Sequence, residues 1–474
     1  MSCGSGGLVL VLGFILRLGL IYTPLARPVS DRVEVSTPMN SWRRVTEGLY
    51  LHRMQLSPYD GDIFHEPPLS LLVYDYVTKA IDEQWIPLLF IACDLVTALL
   101  LAVGAKKCVL YMVEQEAQAK KAKSSRNITL TMNSAGAVPK LVLAVYLLSP
   151  YSLLNCIGMA TTLFSNLLVA LFFASFLHGV EGDELSSPGA IAESGTVRLL
   201  RSSAVRMGNG TLHHNVTRRT SWWLIASVVL AVETYKSFYP VMLLLPALLY
   251  MHEVKRNSSH RSTSLVISAV VTFLVTLSCL LFGSYLVTSS WQFLWSTYGC
   301  ICAVPDLTPN IGVFWYFFTE VFEHFRVFFL WIFQLNAFVY MVPLGIRLRK
   351  EPLLLFFLVV ALTAVFKSYP SIGDVALYTS LLPIWRHVFP YMKQYFLVGC
   401  IFVSCSALAP LLWHLWIFSS SANANFYFGI TLAFNTGQIF LITDLLFAHV
   451  KRKFYLENGD PKELEEKNMK LELR

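Results

Sequence analysis

Apolar runs recur along the whole chain, and no other feature of the sequence constrains the fold as strongly. Many of these runs approach the roughly 20 residues that a helix needs to cross a bilayer, where every backbone polar group must be paired within the segment. The chain has 474 residues, of which 55% are apolar and 14% are charged, and its mean hydropathy is +0.55. A soluble protein of this size has about 25% charged residues. The sequence therefore predicts an all-α polytopic membrane protein.

About twelve segments have the composition of membrane-spanning helices. We expect one multi-span membrane domain over residues 1–455, with a large loop at 24–86 and a charged cytosolic tail at 456–474. A shorter apolar run at 69–77 contains an aspartate and is expected to lie at the membrane interface. The predicted spans are 8–22, 87–105, 139–156, 160–178, 221–235, 238–251, 264–288, 327–346, 352–366, 374–389, 395–418 and 426–449.

Lysine and arginine residues cluster in the loops and at the ends of the predicted spans. Cationic loops are retained in the cytosol, and with twelve spans every cluster lies on the same side as both termini. Both termini are therefore expected to be cytosolic, and the loop at 24–86 lumenal. The polar, Gly- and Ser-rich residues 179–220 are typical of a flexible cytosolic linker. The net charge of +7 follows from this topology, so nucleic-acid binding is not expected.

Two groups of polar residues have side chains suited to acid–base chemistry or metal binding. On one helix Glu320, Glu323 and His324 would share a face, although an amphipathic helix at the membrane surface has the same pattern. In the loop group Asp31 and Glu34 have D-x-x-E spacing and not the D-x-D spacing that chelates a metal–nucleotide pair, and a long loop contains such residues in any case. Its members are Asp31, Glu34, Asp60, Asp62, His65 and Glu66.

Two segments resemble each other, YKSFYP at 235–240 and FKSYP at 366–370, and each joins two predicted spans. A cation beside a membrane span is costly unless it meets an anion or extends to the interface. Lys236 and Lys367 are therefore candidates for a lipid phosphate, and extension to the interface is the alternative.

The segment SSSANANFYFG at 419–429 is uncharged and joins the last two predicted spans. The amides of Asn423 and Asn425 match the donors and acceptors of sugar hydroxyls, and Phe426 and Tyr427 add aromatic surface at headgroup depth. A lipid with a sugar headgroup would suit this combination. The alternative is a simple turn, because Asn and Ser favour turns for backbone reasons.

Five long segments are distinctive: RVEVSTPMNSWRRVTEGL, SPYDGDIFHEPPL, AVPDLTPNIGVFWYFFTEVFEHF, FKSYPSIGDVALY and LLWHLWIFSSSANANFYFGITLAFNTGQI. Taken together they resemble the family of the phosphatidylinositol-glycan class U subunit of the GPI transamidase. The resemblance covers residues 32–439 but not the 179–220 loop. It implies a non-catalytic, multi-pass subunit of an endoplasmic-reticulum complex that attaches preassembled GPI to proteins.

The WRRVTEG and SPY motifs of the first loop and the later CDLVTA also resemble, more distantly, the first GPI mannosyltransferase. That family has D-x-D in its first lumenal loop, whereas the corresponding stretch here reads SDRVEV. The two resemblances imply a glycosyltransferase-C-like bundle that holds a glycolipid without transferring sugar. An active lipid-linked mannosyltransferase, with Asp31 or Glu34 as base, is the alternative.

The resemblance also sharpens the expected site and partners. Other GPI transamidase subunits, including a cysteine-protease-like catalytic chain, the GPI glycolipid and membrane lipids are the implied partners. No catalytic residue, cofactor or metal is expected on this chain. The residues expected to bind GPI are Asn423, Asn425, Phe426, Tyr427, Lys367 and Asp374.

Overall fold

The computed structural model describes residues 3–120, 130, 132–178, 209–254 and 259–458, and every regular element in these residues is helical. Shorter 3₁₀ turns at Glu83–Trp85, Tyr239–Leu243 and Leu382–Tyr391 connect some of the helices. The α-helices are α1 (Cys3–Ile21), α2 (Ala26–Ser30), α3 (Trp42–Arg53), α4 (Pro68–Ala80), α5 (Ile86–Lys120), α6 (Met132–Leu148), α7 (Pro150–Ile157), α8 (Thr162–His178), α9 (Asn209–Ser237), α10 (Leu244–Val254), α11 (Ser259–Thr288), α12 (Gln292–Leu294), α13 (Cys300–Ala303), α14 (Phe314–Glu320), α15 (Glu323–Val339), α16 (Met341–Arg347), α17 (Pro352–Phe366), α18 (Ile372–Leu381), α19 (Tyr395–Ile417) and α20 (Ala424–Asn458).

Helix α17 lies at the centre of the bundle. Its sequence is apolar all round, and thirteen of its fifteen residues are buried, as expected for a helix surrounded by other helices. It packs against α10, α15, α18 and α20. On one side the Phe356 ring stacks on Phe173 of α8, with the ring centroids 4.9 Å apart. The apolar core of the bundle is therefore organised around one buried helix.

Helices α11, α15 and α19 form part of the outer surface. Large apolar side chains on them are exposed, for example Ile267, Trp331 and Val403 at 57%, 67% and 73%. An exposed apolar surface of this extent requires lipid or a partner to cover it. These helices therefore present the face of the bundle that suits the hydrocarbon of a membrane.

Five helices in the described residues are long and apolar enough to cross a membrane, or six if the bent pair α6 and α7 is one span. Four shorter apolar helices accompany them. All twelve predicted spans fall largely on helical residues, but the number of true crossings stays a prediction.

The first helix is fixed to the bundle by a buried ion pair. The Arg17 Nε donates to Asp94 of α5 over 2.5 Å, and both side chains are 0% exposed. Tyr146 donates to the other Asp94 oxygen over 2.6 Å, and the Arg17 guanidinium also donates to the Leu147 carbonyl over 2.8 Å. A buried ion pair of this kind is tolerated because further hydrogen bonds, from Tyr146 and to the Leu147 carbonyl, compensate for the loss of water. Helices α1, α5 and α6 are thereby held together.

Residues 24–86, predicted as a large loop, form a folded layer with helices α2, α3 and α4. Trp42 packs edge-on against Tyr74 and Phe90, with ring centroids 5.6 and 5.2 Å away. The Asn40 carbonyl accepts from the Thr161 backbone N–H over 2.8 Å. The layer is thus packed onto the ends of α5 and α8, and it positions polar residues over the bundle.

Two expectations from the sequence are corrected. Helix α9 begins at Asn209, so residues 209–220 are helical although the sequence predicted a flexible linker there. Residues 179–208, like the tail from 459 onward, lie outside the described residues. Glu320 ends α14 and Glu323 begins α15, with a break between them, so Glu320 does not share one helical face with Glu323 and His324. All three side chains are exposed.

Candidate functional site

A polar cavity lies where the 24–86 layer meets the ends of several helices. It contains about 100 Å³ of water-accessible space. Its walls come from residues around 37–40 and 65–66 of the layer, and from the ends of α8, α9, α17 and α18. Residues far apart in sequence therefore place hydroxyl, amide and charged groups around one small volume.

Lys236 reaches this cavity from the last turn of α9. Phe238, just beyond the helix, has a positive φ of 59°, which turns the chain away. The Lys236 ammonium donates to both oxygens of Glu66, over 2.8 and 3.0 Å. The Thr161 hydroxyl donates to the same carboxylate over 2.7 Å. Lys236 is thus ion-paired inside the protein.

Lys367 reaches the cavity from the end of α17. Its ammonium donates to Asp374 Oδ1 over 2.6 Å. The other Asp374 oxygen accepts from the Ser371 backbone N–H over 2.8 Å and from the Ser371 hydroxyl over 3.2 Å, which completes a capping box at the start of α18. Asp374 therefore both starts a helix and neutralises Lys367.

The two lysine-bearing segments meet directly. The Ser368 backbone N–H donates to the Tyr239 hydroxyl oxygen over 3.1 Å, and the two hydroxyl oxygens lie 2.9 Å apart. The Gln334 amide donates to the Ser368 hydroxyl over 2.9 Å. The similar sequences at 235–240 and 366–370 therefore form two adjoining corners of one cavity wall.

A third carboxylate, Glu233, lines the cavity three residues before Lys236. It is 2% exposed, and its Oε2 has no hydrogen-bond partner among the described residues. The lining residues include two lysines, Lys236 and Lys367, and three carboxylates, Glu66, Glu233 and Asp374. When all are ionised, the cavity has one more carboxylate than ammonium groups.

His65, at the edge of the cavity, does not balance this charge. Its Nδ1 donates to the Ser296 carbonyl over 2.8 Å, and its Nε2 lies 3.4 Å from Nη1 of Arg44. Burial lowers the pKa of His65, and the Arg44 guanidinium lowers it further. Arg44 also pairs with Asp306 over 2.7 Å. Burial raises the pKa of Asp306, but hydrogen bonds from Thr308 and Arg44 outweigh it and hold the pKa below its usual value.

The hairpin at 419–425 joins α19 and α20 and lies at a different place. The Asn423 side-chain oxygen accepts from the Asn425 backbone N–H over 3.1 Å, as a residue that caps a helix does. The Asn425 side-chain oxygen accepts from the Tyr316 hydroxyl. Within the described part of the chain neither amide nitrogen has a partner. Both exposed asparagines thus use their oxygens internally and leave N–H donors free.

A second cavity, the apolar cavity, lies beside the first turns of α20 and has a volume of about 320 Å³. Tyr427 lines it and is fully buried, whereas Phe426 is 58% exposed and does not line it. Arg32 and Glu34 contribute an ion pair of 2.8 Å to a wall that is otherwise mostly apolar. An apolar cavity with a few polar groups is typical of a small-molecule or lipid-chain site.

One segment of the 24–86 layer lies between the two cavities. Arg32, Glu34 and Val35 line the apolar cavity, and Thr37 and Asn40 line the polar cavity. A ligand in either cavity would therefore touch the same short stretch of chain.

Residues 11–434 match the family model described as GPI transamidase subunit PIG-U. The chain belongs to the PIG-U family. It is 36% identical over 472 residues to the Homo sapiens protein named GPI-anchor transamidase component PIGU, with 95% of each chain covered. It is 27% identical over 447 residues, 94% of each chain, to the Saccharomyces cerevisiae protein named GPI transamidase component GAB1. The recognition made from the sequence segments is confirmed.

The six predicted site residues all lie inside the PIG-U match, but the structure divides them. Lys367 and Asp374 are paired at the polar cavity, and Tyr427 lines the apolar cavity. Asn423 and Asn425 lie in the exposed hairpin that precedes Tyr427. Neither asparagine lines the polar or the apolar cavity, so their part in the site stays a prediction.

Sequence reasoning missed Glu233, although a signal for it was present. It is an acidic residue inside a predicted span at 221–235, and ionisable residues in spans are rare enough to be functional candidates by default. That Glu233 and Glu66 line the same cavity could not be predicted, because the two carboxylates are far apart in the sequence.

The loop carboxylates do not form an acid–base pair in this PIG-U family chain. The buried ones are held in ion pairs, Glu34 with Arg32 and Glu66 with Lys236. The exposed ones are Asp31, Asp60 and Asp62.

Proposed function

We propose that this PIG-U family chain is a non-catalytic membrane subunit of the GPI transamidase that binds the GPI glycolipid during attachment of GPI to proteins. The single observation that carries glycolipid binding is the combination of free amide donors and an apolar cavity at the start of one helix, α20. Amides hydrogen-bond sugar hydroxyls, and an apolar cavity accepts a hydrocarbon chain. A glycolipid has both parts.

In this proposal the glycan binds the amides of Asn423 and Asn425. The lipid enters beside Phe426, whose exposed ring suits headgroup depth, and lies against Tyr427 in the apolar cavity. The polar cavity with Lys367 belongs to the same end of the bundle, because both cavities share one segment of the 24–86 layer.

The proposed architecture is a glycosyltransferase-C-like bundle of about twelve spans in the endoplasmic reticulum membrane, with both termini cytosolic. It is supported by helices in all twelve predicted segments and by cationic loops on one side. In this setting the 24–86 layer and the hairpin face the lumen. Acyl transfer is then the work of a cysteine-protease-like chain elsewhere in the complex.

A mannosyltransferase role would require Asp31 or Glu34 as a base. Glu34 already accepts hydrogen bonds from Arg32 over 3.0 and 2.8 Å, which favours a structural role for this carboxylate.

Depletion of the chain in cells distinguishes the transamidase subunit from the mannosyltransferase. We expect complete, mannosylated GPI to accumulate while anchored proteins disappear from the surface. Accumulation of early, unmannosylated precursors would contradict the proposal.

The site is tested by Asn423→Asp with Asn425→Asp. Aspartate keeps the oxygen that caps α20 and accepts from Tyr316, but it removes the amide N–H donors. Loss of such bonds is worth roughly 1 to 3 kcal/mol, so we expect a partial loss of GPI attachment in depleted cells rescued with the variant.

The matched control is Ser419→Ala in the same exposed hairpin, which we expect to rescue fully. The double alanine variant at Asn423 and Asn425 should reduce attachment at least as much, with the complex still assembled. Full rescue of GPI attachment by the aspartate variant would contradict the proposed glycan contacts. Loss of the complex with both double variants would show that the hairpin is structural.

A further inference from the structure

We propose that a membrane-spanning helix of another subunit binds the outward face of α15, where Asn336 hydrogen-bonds a polar side chain at the middle of that helix. The partner helix also has a basic residue at the end that lies beside Glu320 and Glu323. The chain belongs to a family of GPI transamidase subunits, so other subunits are its neighbours in the complex. The proposal concerns assembly, and it does not depend on the glycolipid contacts of the hairpin.

Helix α15 lies at the periphery of the bundle. With α16 it forms the long apolar segment Glu323–Arg347, and only 6% of its most apolar stretch is buried, the smallest share among the five such helices in the described residues. Gln334 marks its inward side, because the amide donates to the Ile301 carbonyl over 2.7 Å and to the Ser368 hydroxyl over 2.9 Å. Exposed apolar side chains repeat along the outward side at three- and four-residue spacing. They are Phe325, Phe328, Ile332, Leu335 and Val339, with 44% to 60% exposed.

An apolar face of this kind suits lipid and a partner helix equally, and Asn336 decides between them. It is partly exposed between Ile332 and Val339, and its amide has no hydrogen bond within the described ranges. Roughly 16 to 20 Å of helix separates it from either end of Glu323–Arg347, so its short side chain does not reach water. Hydrocarbon offers an amide no partner, and an unpaired amide there is costly. A polar group of another protein segment satisfies it.

The charges at the ends of this segment favour another subunit over a second copy of this chain. Glu320 and Glu323 at the start are exposed and have no ion pair in the described part of the chain. Arg347 at the other end is exposed as well. Two copies in one membrane would bring like charges together at both ends, which is unfavourable. A different helix with a basic residue beside Glu320 and Glu323 is complementary, and its mid-span polar side chain bonds Asn336, as helices in membranes commonly do.

The direct test is a cross-link in the assembled complex with the full chain, in lipid nanodiscs. A photoreactive benzoylphenylalanine replaces Ile332, one helical turn from Asn336, and the attached segment is identified by mass spectrometry. We expect a membrane-spanning segment of another subunit with a polar residue at mid-span and a basic residue at the matching end. Cross-links to lipid alone, to a second copy of this chain, or to a segment without those residues would each overturn the proposal.

Asn336→Leu removes the amide at similar volume. We expect the amount of other subunits recovered with the chain from detergent to fall about three- to tenfold, as for one lost hydrogen bond between helices. Asn336→Gln keeps an amide and should restore most of the recovery. Unchanged recovery with Asn336→Leu, or an equal fall in the folded chain itself, would contradict the proposed contact. The cross-link leaves Asn336 in place, so it decides even if this variant does not fold.

A matched pair of bulky substitutions tests the face as a whole. Val339 on α15 and Ile267 on α11 are 56% and 57% exposed. Lipid adapts to a larger side chain, whereas a packed helix interface does not. We therefore expect Val339→Trp to lower the recovery of other subunits and Ile267→Trp to leave it unchanged. Equal recovery with the two variants would overturn the assignment of the interface to α15.

Discussion

Two groups of buried charges in this chain are built in opposite ways. The Arg17–Asp94 pair is 0% exposed, and Tyr146 and backbone carbonyls complete its hydrogen bonds. The polar cavity also contains ion pairs, but Glu233 presents an oxygen without a hydrogen-bond partner among the described residues, and Lys367 gives Asp374 only one of its three donors. Both carboxylate oxygens are therefore paired in the first group, whereas one carboxylate oxygen in the second group is not.

This difference separates structure from function. A buried network in which every carboxylate oxygen is paired fixes the helices that contribute to it, and it offers no free acceptor to a ligand. An incomplete network around open volume has donors and acceptors available. The unpaired polar atoms therefore identify the polar cavity as a candidate binding site. The Arg17–Asp94 network, which also consists of ionisable residues near apolar helices, has a structural role instead.

The largest effect is expected when the complete network is broken. Arg17→Met leaves Asp94 buried without its cation, which costs about 3 to 5 kcal/mol in comparable cases. We expect a strongly reduced yield of folded protein and a much lower melting temperature in detergent. Adding Asp94→Leu to Arg17→Met should recover part of the loss, because no charge then remains buried.

Arg43→Met is the matched control for this experiment. Arg43 forms a surface pair with Glu47 and has 80% of its side chain exposed, so the melting temperature should hardly change. If Arg17→Met lowers the melting temperature no more than Arg43→Met does, the Arg17–Asp94 network does not have the structural role that we assign to it.

A smaller effect is expected at the polar cavity. Lys236→Met removes two hydrogen bonds to Glu66, but the Thr161 hydroxyl still donates to that carboxylate. We expect a loss of roughly 1.5 to 3 kcal/mol, measured as a shift in melting temperature. Lys79→Met is the control, because that lysine is 63% exposed and Arg53 also binds its partner Asp75.

The size of this effect sharpens the comparison. If Lys236→Met lowers the stability as much as Arg17→Met does, the ion pairs of the polar cavity contribute as much to folding as the Arg17–Asp94 pair. We expect a smaller loss of stability, with the complex still assembled.

The sequence predicted features that depend on local composition. Apolar length located the helices, and the lysines of YKSFYP and FKSYP were identified beside spans because their position there is unusual. The hairpin was also located, but its two interpretations were left open. In the structure the Asn423 side-chain oxygen caps α20, which neither interpretation predicted, and the amide nitrogen has no partner among the described residues.

Features that depend on long-range pairing were not predicted. Lys236 and Glu66 are 170 residues apart, and nothing local to either one identifies the other. The same holds for Arg17 and Asp94, which are 77 residues apart. The break between Glu320 and Glu323 was missed because helical periodicity continues through it in the sequence.

The smallest effect concerns His65 and the charge of the cavity edge. Burial and Arg44 lower the pKa of His65 in the folded chain, so the unfolded chain binds a proton at a higher pH. The stability that neutral His65 contributes to the folded chain is therefore fully present above about pH 6.5, the ordinary histidine pKa, and is lost as the pH falls below it. The loss is at most about 1.4 kcal/mol per pH unit for one proton.

Asp306, which faces the same arginine, has a lowered pKa and stays ionised in this range, so His65 is the group expected to respond. We expect the melting temperature to fall between pH 6.5 and pH 5, and the part of that fall due to His65 to vanish in His65→Gln. His324→Gln is the control, because that histidine is exposed. An unchanged pH profile in His65→Gln would show that the pKa of His65 is the same in the folded and unfolded chains, which would contradict the expected effect of burial and Arg44.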